Sequence, residues 1–449
     1  MKPTIGILLL LGGSALADTP AVLAIRNARV VTVSGPVIPK GTVVVRDGLI
    51  EAVGANVTPP ADAWVVEGEG LTVYPGLIDA LSTLGIPPAA PAGGGAGGRG
   101  AITPTPGPAP ITLATASAAP RPADNRPNNQ SWVRAADLVQ PTDRRLAAAR
   151  NAGFTSAITF PGAGRIIAGQ GVVINLAGES TGKMIVSGPS GMYLSMGGRG
   201  GFGTSFPGSL MGVIAYVRQT YLDADHYREA KDLYARNPRG ARRPEYDRAL
   251  EGVLEARSVL LPASSAVDID RMLRFAKELN RSAILYEGHE AYRTTDLLKK
   301  SGVPMLVSLQ WPEKERDTDP EQADSLRTLE LRDKAPTTPG VLAKAGVRFA
   351  LYSGGMERPA DTVRAVRRAI DAGLKPEDAV RALTLGPAEI FSVADRLGSI
   401  ETGKIANLIV TDGDLFQEKT RVKHVFVDGV KFDPAPEAAP AFGEGGPRP

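Results

Sequence analysis

The 449-residue chain is 43% apolar and 22% charged, a composition typical of soluble globular proteins and sufficient for a large domain beside a smaller one. Its net charge of +3 is spread thinly, without a lysine and arginine stripe interleaved with aromatic residues, so nucleic acid is not an expected partner. Cysteine is absent, which excludes disulfides, thiolate metal ligands and cysteine nucleophiles.

The N-terminus has the pattern of a secretory signal. Lys2 precedes an apolar stretch at 5–11, and residues 15–17 read Ala-Leu-Ala, the small-residue pattern of a cleavage site. We therefore expect a signal peptide over 1–17, cleavage near Ala17, and a periplasmic or secreted protein. The alternative is a short buried helix. No later segment reaches the about 18–20 apolar residues of a membrane-spanning helix, so no membrane span is expected.

Residues 18–73 contain short runs of β-branched residues, at 30–33, 42–45 and 49–53. Asp47 and Gly48 separate the last two runs, and an Asp-Gly pair between such runs is a strong hairpin signal. The segment therefore predicts the first part of a small β domain.

The stretch 74–80 reads YPGLIDA and continues as Leu81, Ser82 and Thr83. It resembles the amidohydrolase superfamily, in which this phrase runs on into His-x-His and supplies two zinc ligands at the end of the first barrel strand. Here Leu81 and Thr83 occupy those two positions, and neither binds zinc as an imidazole does. The resemblance implies a hydrolase scaffold without its metal ligands.

Residues 74–395 alternate strands and helices at the spacing of βα units, which predicts a (β/α)8 TIM-like barrel. A segment rich in Gly, Pro and Ala at 87–127 interrupts this pattern and predicts a flexible insertion after the first barrel strand. The predicted strands are 155–160, 258–261, 282–286, 304–308 and 348–352, and the predicted helices are 268–279, 290–300 and 361–373.

The stretch 396–410 reads RLGSIETGKIANLIV and resembles the family's closing signature G-S-I-E-x-G-K-x-A-D-L, with Asn407 in place of the usual aspartate. In the family, such a segment joins the N-terminal strands. We therefore expect an α/β fold in which 18–73 and 396–433 build an accessory β-sandwich beside the barrel. The tail at 434–449 has the composition of a disordered segment.

Catalytic groups of such barrels come from the C-terminal ends of the strands. Asp79 lies at the first of these ends, where a structural role is the simpler interpretation. Glu287 and His289 follow the predicted strand 282–286 and form, with Glu290, the richest polar cluster. Histidine can act there as a base, because its ordinary pKa lies near neutrality. The alternative is that 287–290 starts and caps the next helix.

The last predicted strand ends in Ser353 and Gly354, where the family reads approximately L-G-T-D-S. The family's aspartate binds metal and accepts a proton from the attacking water, and its position falls on Gly354 here. Ser353 is a candidate nucleophile activated by His289, although no G-x-S-x-G elbow surrounds it. Arg165 and Gln170, after the predicted strand 155–160, are candidates for ligand contacts.

The histidine count limits any metal site. An intact site in this family uses four histidines, whereas the chain has three, and two of them, His226 and His424, fall in a charged helix and a C-terminal strand. We therefore predict no cofactor, although zinc is expected in intact relatives.

The resemblance, to the imidazolonepropionase-like and cyclic amidohydrolase branch, leads to two hypotheses. The first is an exported, catalytically degenerate protein that binds a small ligand, or is a non-catalytic subunit of an intact relative, or forms a homo-oligomer. The second is an active hydrolase of C–N bonds in amides, cyclic amides or peptides. It would use an unconventional site around Glu287, His289 and Ser353, or an oxygen-ligated divalent metal.

Overall fold

The computed structural model describes residues 21–88, 126–162, 164–196, 207–314, 323–355 and 359–434. The predicted signal peptide, most of the insertion predicted at 87–127 and nearly all of the tail predicted at 434–449 lie outside these residues.

The strands are β1 (Val22–Val30), β2 (Ile38–Arg46), β3 (Leu49–Gly54), β4 (Trp64–Glu67), β5 (Thr72–Pro75), β6 (Leu77–Ser82), β7 (Phe154–Thr159), β8 (Ile167–Gln170), β9 (Val172–Asn175), β10 (Ile185–Ser187), β11 (Met192–Leu194), β12 (Ser258–Ala263), β13 (Ser282–Glu287), β14 (Met305–Ser308), β15 (Phe349–Tyr352), β16 (Leu408–Thr411), β17 (Val422–Val427) and β18 (Val430–Phe432). The helices are α1 (Arg145–Asn151), α2 (Thr181–Met184), α3 (Leu210–Arg236), α4 (Arg248–Glu255), α5 (Ala266–Glu278), α6 (Thr295–Ser301), α7 (Leu326–Lys334), α8 (Thr338–Ala345), α9 (Pro359–Asp371), α10 (Pro376–Ala382) and α11 (Leu385–Ile390).

The two ends of the chain share one sheet. Its strand order is β18-β17-β16-β5-β1-β2-β3, with β4 paired beside β1, so N-terminal and C-terminal strands meet where β5 runs antiparallel to β16. The predicted turn between β2 and β3 is present, with Asp47 and Gly48 both at positive φ, as a type I′ turn requires. The predicted strand 30–33 is wrong, because β1 ends at Val30 and the backbone of Val33 has a φ of 70°.

The closing signature fastens the C-terminal segment to the β2–β3 hairpin. The buried Lys404 donates from Nζ to Ser399 Oγ at 2.5 Å and to Glu401 Oε1 at 3.0 Å. Around this cluster, the N–H of Gly403 donates to the carbonyl of Ile50, and the N–H of Ile50 donates to the carbonyl of Lys404, both at 2.8 Å. The serine, glutamate and lysine of the signature therefore have a structural use in this chain.

The central strands form two sheets, ordered β15-β14-β13-β12-β11-β8 and β10-β9-β7-β6. Strands β11 to β15 are parallel, and helices lie between them along the chain, as in βα units. Gly171 alone separates β8 from β9, so the chain passes there from one sheet to the other. A Cβ on Gly171 would lie 2.3 Å from the ring of Phe160, so this position requires a residue without a side chain.

Alternation along the parallel strands separates an inner core from an outer core. On β13, Ile284 and Tyr286 belong to an inner cluster with Leu306 of β14, whereas Leu285 belongs to a larger cluster that includes Phe275 of α5. This is the two-residue period of a strand buried on both faces. It directs Tyr286 toward the interior at the C-terminal end of its strand.

Glu290 caps the helix before it, and the helix after it begins later than predicted. We expected a helix over 290–300, but α6 begins at Thr295, after a 3-10 turn at Ala291–Arg293. The carboxylate of Glu290 accepts from the N–H of Ala266 at 3.0 Å. Its capping contact is therefore with the preceding helix α5 and not with the next one, contrary to the alternative interpretation.

Among the helices of the described ranges, none combines the length and apolar character that crossing a membrane requires.

Candidate functional site

A cavity of about 370 Å³ lies at the C-terminal ends of the parallel strands. Four aromatic side chains line it, and each lies in or directly after a different strand: Phe160, Tyr193, Tyr286 and Tyr352. These four residues were not among the site residues predicted from the sequence. Tyr286 and Tyr352 are the last residues of two predicted strands, and this position could have identified them as site residues.

Leu81 and Thr83, at the positions of the expected histidines, both line this cavity. Leu81 is buried, and the hydroxyl of Thr83 accepts from Arg145 Nη1 at 3.0 Å. The imidazole pair of the resembling family is thus replaced by a methyl-rich side chain and by a hydroxyl that already has a partner. This part of the wall offers no nitrogen ligand.

Gly354, the position of the expected aspartate, also lines the cavity. Its φ is 69°, and a Cβ built on it would lie 2.6 Å from Ser308 Oγ. A side chain here would be strained by the backbone conformation and crowded by its neighbour. The backbone therefore favours glycine over the family's aspartate at this point.

Asp79 and Ser353 are hydrogen-bonded to each other, and neither residue lines the cavity. The backbone N–H of Ser353 donates to Asp79 Oδ1 at 3.0 Å, and its hydroxyl donates to Asp79 Oδ2 at 2.6 Å. Asp79 is 2% exposed, and this burial raises the pKa of its carboxyl to about 6. Ser353 is thus bonded to Asp79, and no hydrogen bond joins its hydroxyl to His289 among the described contacts.

Glu287 lines the cavity at the end of β13 with an unusual backbone. Its φ of 83° is rare for a residue with a side chain, and such strain is often found at functional sites. Burial and, to a lesser extent, the nearby charge of Asp268 raise the pKa of the Glu287 carboxyl. No described residue forms a hydrogen bond or ion pair with this carboxylate.

His289 lines the same cavity, and its ring faces Trp311 with 6.1 Å between the ring centroids. Burial lowers the pKa of His289, while the backbone at Ser308 and Gln310 opposes that shift. The Nε2 atom is buried and has no hydrogen-bond partner among the described residues. The site therefore contains a largely neutral imidazole with one uncommitted nitrogen.

Arg165 and Gln170, the predicted ligand contacts, do not line the cavity. Arg165 is exposed and donates to Asn128 Oδ1 at 3.2 Å. Gln170 is fully buried and donates from Nε2 to the carbonyls of Ser131 and Gly252 at 3.2 and 3.1 Å. Gln170 therefore has an internal structural role, because its side chain links β8 to the backbone at Ser131 and Gly252.

The zinc site that the resemblance implies does not fit the residues present. Zinc in proteins takes three or four nitrogen, oxygen or sulfur ligands from side chains. Across the described ranges, no three His, Cys, Asp or Glu side chains are grouped in a way that could hold a metal ion. The cavity offers Glu287 and His289, while both oxygens of Asp79 accept from Ser353.

Known proteins agree with this architecture. No curated protein matches the sequence. The solved structure of an amidohydrolase from Thermotoga maritima MSB8 is similar with a TM-score of 0.70 at 27% identity, over 92% of this chain and 100% of that one. A Xaa-Pro dipeptidase with bound methionine and a molinate hydrolase share the fold, each with a TM-score of 0.53. Their identities are 16% and 18%, over 92% of this chain and 100% and 95% of theirs. Residues 257–431 match the amidohydrolase family, so this mixed α/β chain carries an amidohydrolase family domain and has its structural neighbours in that superfamily.

Proposed function

We propose that this protein is an exported, catalytically degenerate member of the amidohydrolase superfamily that binds a small ligand in its cavity without a metal cofactor. One observation carries the proposal: Leu81, Thr83 and Gly354 occupy the cavity wall at the positions where the resembling family has metal ligands. In this proposal the two central sheets form a (β/α)8-type barrel, and the shared terminal sheet belongs to an accessory β-sandwich.

Without metal ligands, the cavity lacks the groups that make a metal-bound water reactive. A bound metal ion lowers the pKa of a water molecule to about 7 and polarises the scissile carbonyl. General acid or base catalysis by a side chain contributes only about 10²- to 10⁴-fold by itself. Glu287 and His289 would have to act without the metal, and the crowded backbone of Gly354 provides no third group.

The cavity itself supports ligand binding over a purely assembly-related role. Its volume of about 370 Å³ falls in the range of small-molecule sites, and aromatic walls with a few polar groups are typical of such sites. Export is supported by the signal-like pattern at 1–17. A role as the non-catalytic subunit of an intact relative would require a partner in addition to the ligand.

The metal content of the purified protein tests the proposal. Mature protein made without an affinity tag is equilibrated with zinc and manganese, dialysed, and analysed by elemental mass spectrometry. We expect well below one metal ion per chain, and no hydrolysis of a Xaa-Pro dipeptide or of molinate above the uncatalysed rate. Near-stoichiometric metal together with turnover would overturn it.

A second candidate function is metal-independent hydrolysis of a C–N bond. It is favoured by the presence of Glu287 and His289 in one cavity, with the Nε2 atom of His289 uncommitted. Turnover by the pure protein that is lost in His289→Ala and kept in His226→Ala, an exposed histidine on α3, would support it. The bond from Ser353 to Asp79 argues against Ser353 as its nucleophile.

A further inference from the structure

The aromatic wall of the cavity is continuous. The ring centroids of Phe160 and Tyr193 are 5.7 Å apart, and those of Tyr193 and Tyr286 are 5.4 Å apart, with interplanar angles of 45° and 43°. Tyr352 also contributes to the lining. Aromatic faces attract cations within about 6 Å of the ring centre, and the attraction is stronger where water is excluded.

The charge on the side chains that line the cavity is negative. Glu287 is the only carboxylate, and no lysine or arginine belongs to the lining formed by the described residues. Glu287 shares the cavity lining with Tyr193, Tyr286 and Tyr352, and its charge contributes to raising the pKa of each phenol, after the larger effect of burial. An unpaired carboxylate within an aromatic wall attracts a cation.

His289 adds an acceptor on the same cavity. With its proton on Nδ1, the neutral imidazole presents Nε2 as a hydrogen-bond acceptor. This atom is buried and unpartnered, which is costly unless a ligand satisfies it. Two uncommitted acceptors, Glu287 and His289, therefore match a ligand that donates N–H groups.

We propose that the cavity binds a small protonated amine, with its ammonium group against the Glu287 carboxylate and the tyrosine faces and an N–H directed at His289 Nε2. A primary or secondary ammonium suits the two acceptors, whereas a quaternary ammonium has no N–H to donate. The inference rests on the proposed ligand-binding function and specifies its ligand class.

Three probes of the same ring size separate charge from shape: benzylammonium, benzyl alcohol and benzoate. Their affinities for the full-length mature protein are measured by isothermal titration calorimetry at pH 7.5. We expect benzylammonium to bind about ten- to a hundredfold more tightly than benzyl alcohol, the ratio expected for one charge-assisted hydrogen bond, and benzoate to bind most weakly.

Two variants test the assigned groups. Glu287→Gln keeps the size of the side chain and is expected to remove most of the preference for benzylammonium over benzyl alcohol. Tyr193→Leu is expected to weaken benzylammonium more than benzyl alcohol, because only the cation depends on the ring face. The exposed Glu179→Gln, outside the cavity lining, serves as the control and should change neither affinity. Circular dichroism melting curves establish that each variant is folded.

The outcomes separate this inference from the proposed function. Equal binding of the three probes, binding of benzoate ahead of benzylammonium, no binding of benzylammonium at millimolar concentration, or an unchanged preference in a folded Glu287→Gln variant would each overturn the amine assignment. None of these results bears on metal content. Stoichiometric metal with turnover would overturn the proposed function, whatever the probes show.

Discussion

Ser353 donates both its backbone N–H and its hydroxyl to the carboxylate of Asp79, at 3.0 and 2.6 Å, across a separation of 274 residues. The pair connects β6 to the residue that directly follows β15, and no backbone ladder joins these two strands in the described part of the chain. Asp79, which belongs to the stretch that resembles the amidohydrolases, thus adds a side-chain link between two sheets that also pack against each other.

Removing the serine hydroxyl should destabilise the protein. Ser353→Ala leaves Asp79 Oδ2 buried without its donor, a loss of about 1–3 kcal/mol of unfolding free energy. Urea denaturation at pH 7.5 measures the change. Ser180→Ala is the matched control, because Ser180 is exposed and its side chain makes no capping bond. Equal effects of the two substitutions would contradict a structural role for the pair.

The stability of the protein should depend on pH through Asp79. Its pKa of about 6 in the folded state lies above the ordinary value of 3.8, so the folded protein binds the proton more tightly than the unfolded chain. This contribution to stability is therefore complete below about pH 4 and is lost as the pH rises to about 6, with a total of about 3 kcal/mol.

Asp79→Asn isolates this contribution, because the amide does not titrate. Unfolding free energies measured from pH 4 to pH 8 should fall by about 3 kcal/mol more in the natural protein than in the variant. Parallel curves for the two proteins would show that Asp79 titrates normally.

Gly76, within the stretch 74–80, should not tolerate a side chain. A Cβ there would lie 2.0 Å from Thr155 Oγ1 and 2.6 Å from Thr155 Cβ, so the strand containing Thr155 would have to move. We expect Gly76→Ala to cost about 1–3 kcal/mol or more. Gly182→Ala is the control, since nothing lies within 4 Å of its added Cβ. Chemical denaturation of both variants checks the difference, and similar stabilities would refute the close approach.

Substitutions at Gly354 and Gly355 test why glycine stands where the family has an aspartate. Both have positive φ, at 69° and 82°, but only Gly354 has a neighbour in the way, with Ser308 Oγ at 2.6 Å from its added Cβ. Gly354→Asp should therefore be less stable than Gly355→Asp by about 1–3 kcal/mol, the cost of overpacking beyond the shared backbone strain. Thermal and urea unfolding measure the gap, and the opposite order would show that the site can accept the family's residue.

Local features of this protein were predictable from short stretches of sequence. The turn at Asp47 and Gly48, the strand at β13 and the helix at α5 depend on conformational preferences and apolar spacing within a few residues. The replacement of the expected histidines by Leu81 and Thr83 is equally local, because it is a matter of residue identity at a recognisable stretch.

Tertiary structure alone decided which polar groups are free. Asp79 and Ser353 are paired, Glu290 caps α5, and Gln170 is buried, whereas Glu287 and the Nε2 atom of His289 keep no partner among the described residues. These outcomes depend on strand order and register over hundreds of residues, which sequence spacing does not encode. Residue identity therefore determined which side chains stand at the positions of the family's metal ligands, and the packing of distant strands decided which polar groups keep no partner among the described residues, because a side chain's partners are set by the fold around it.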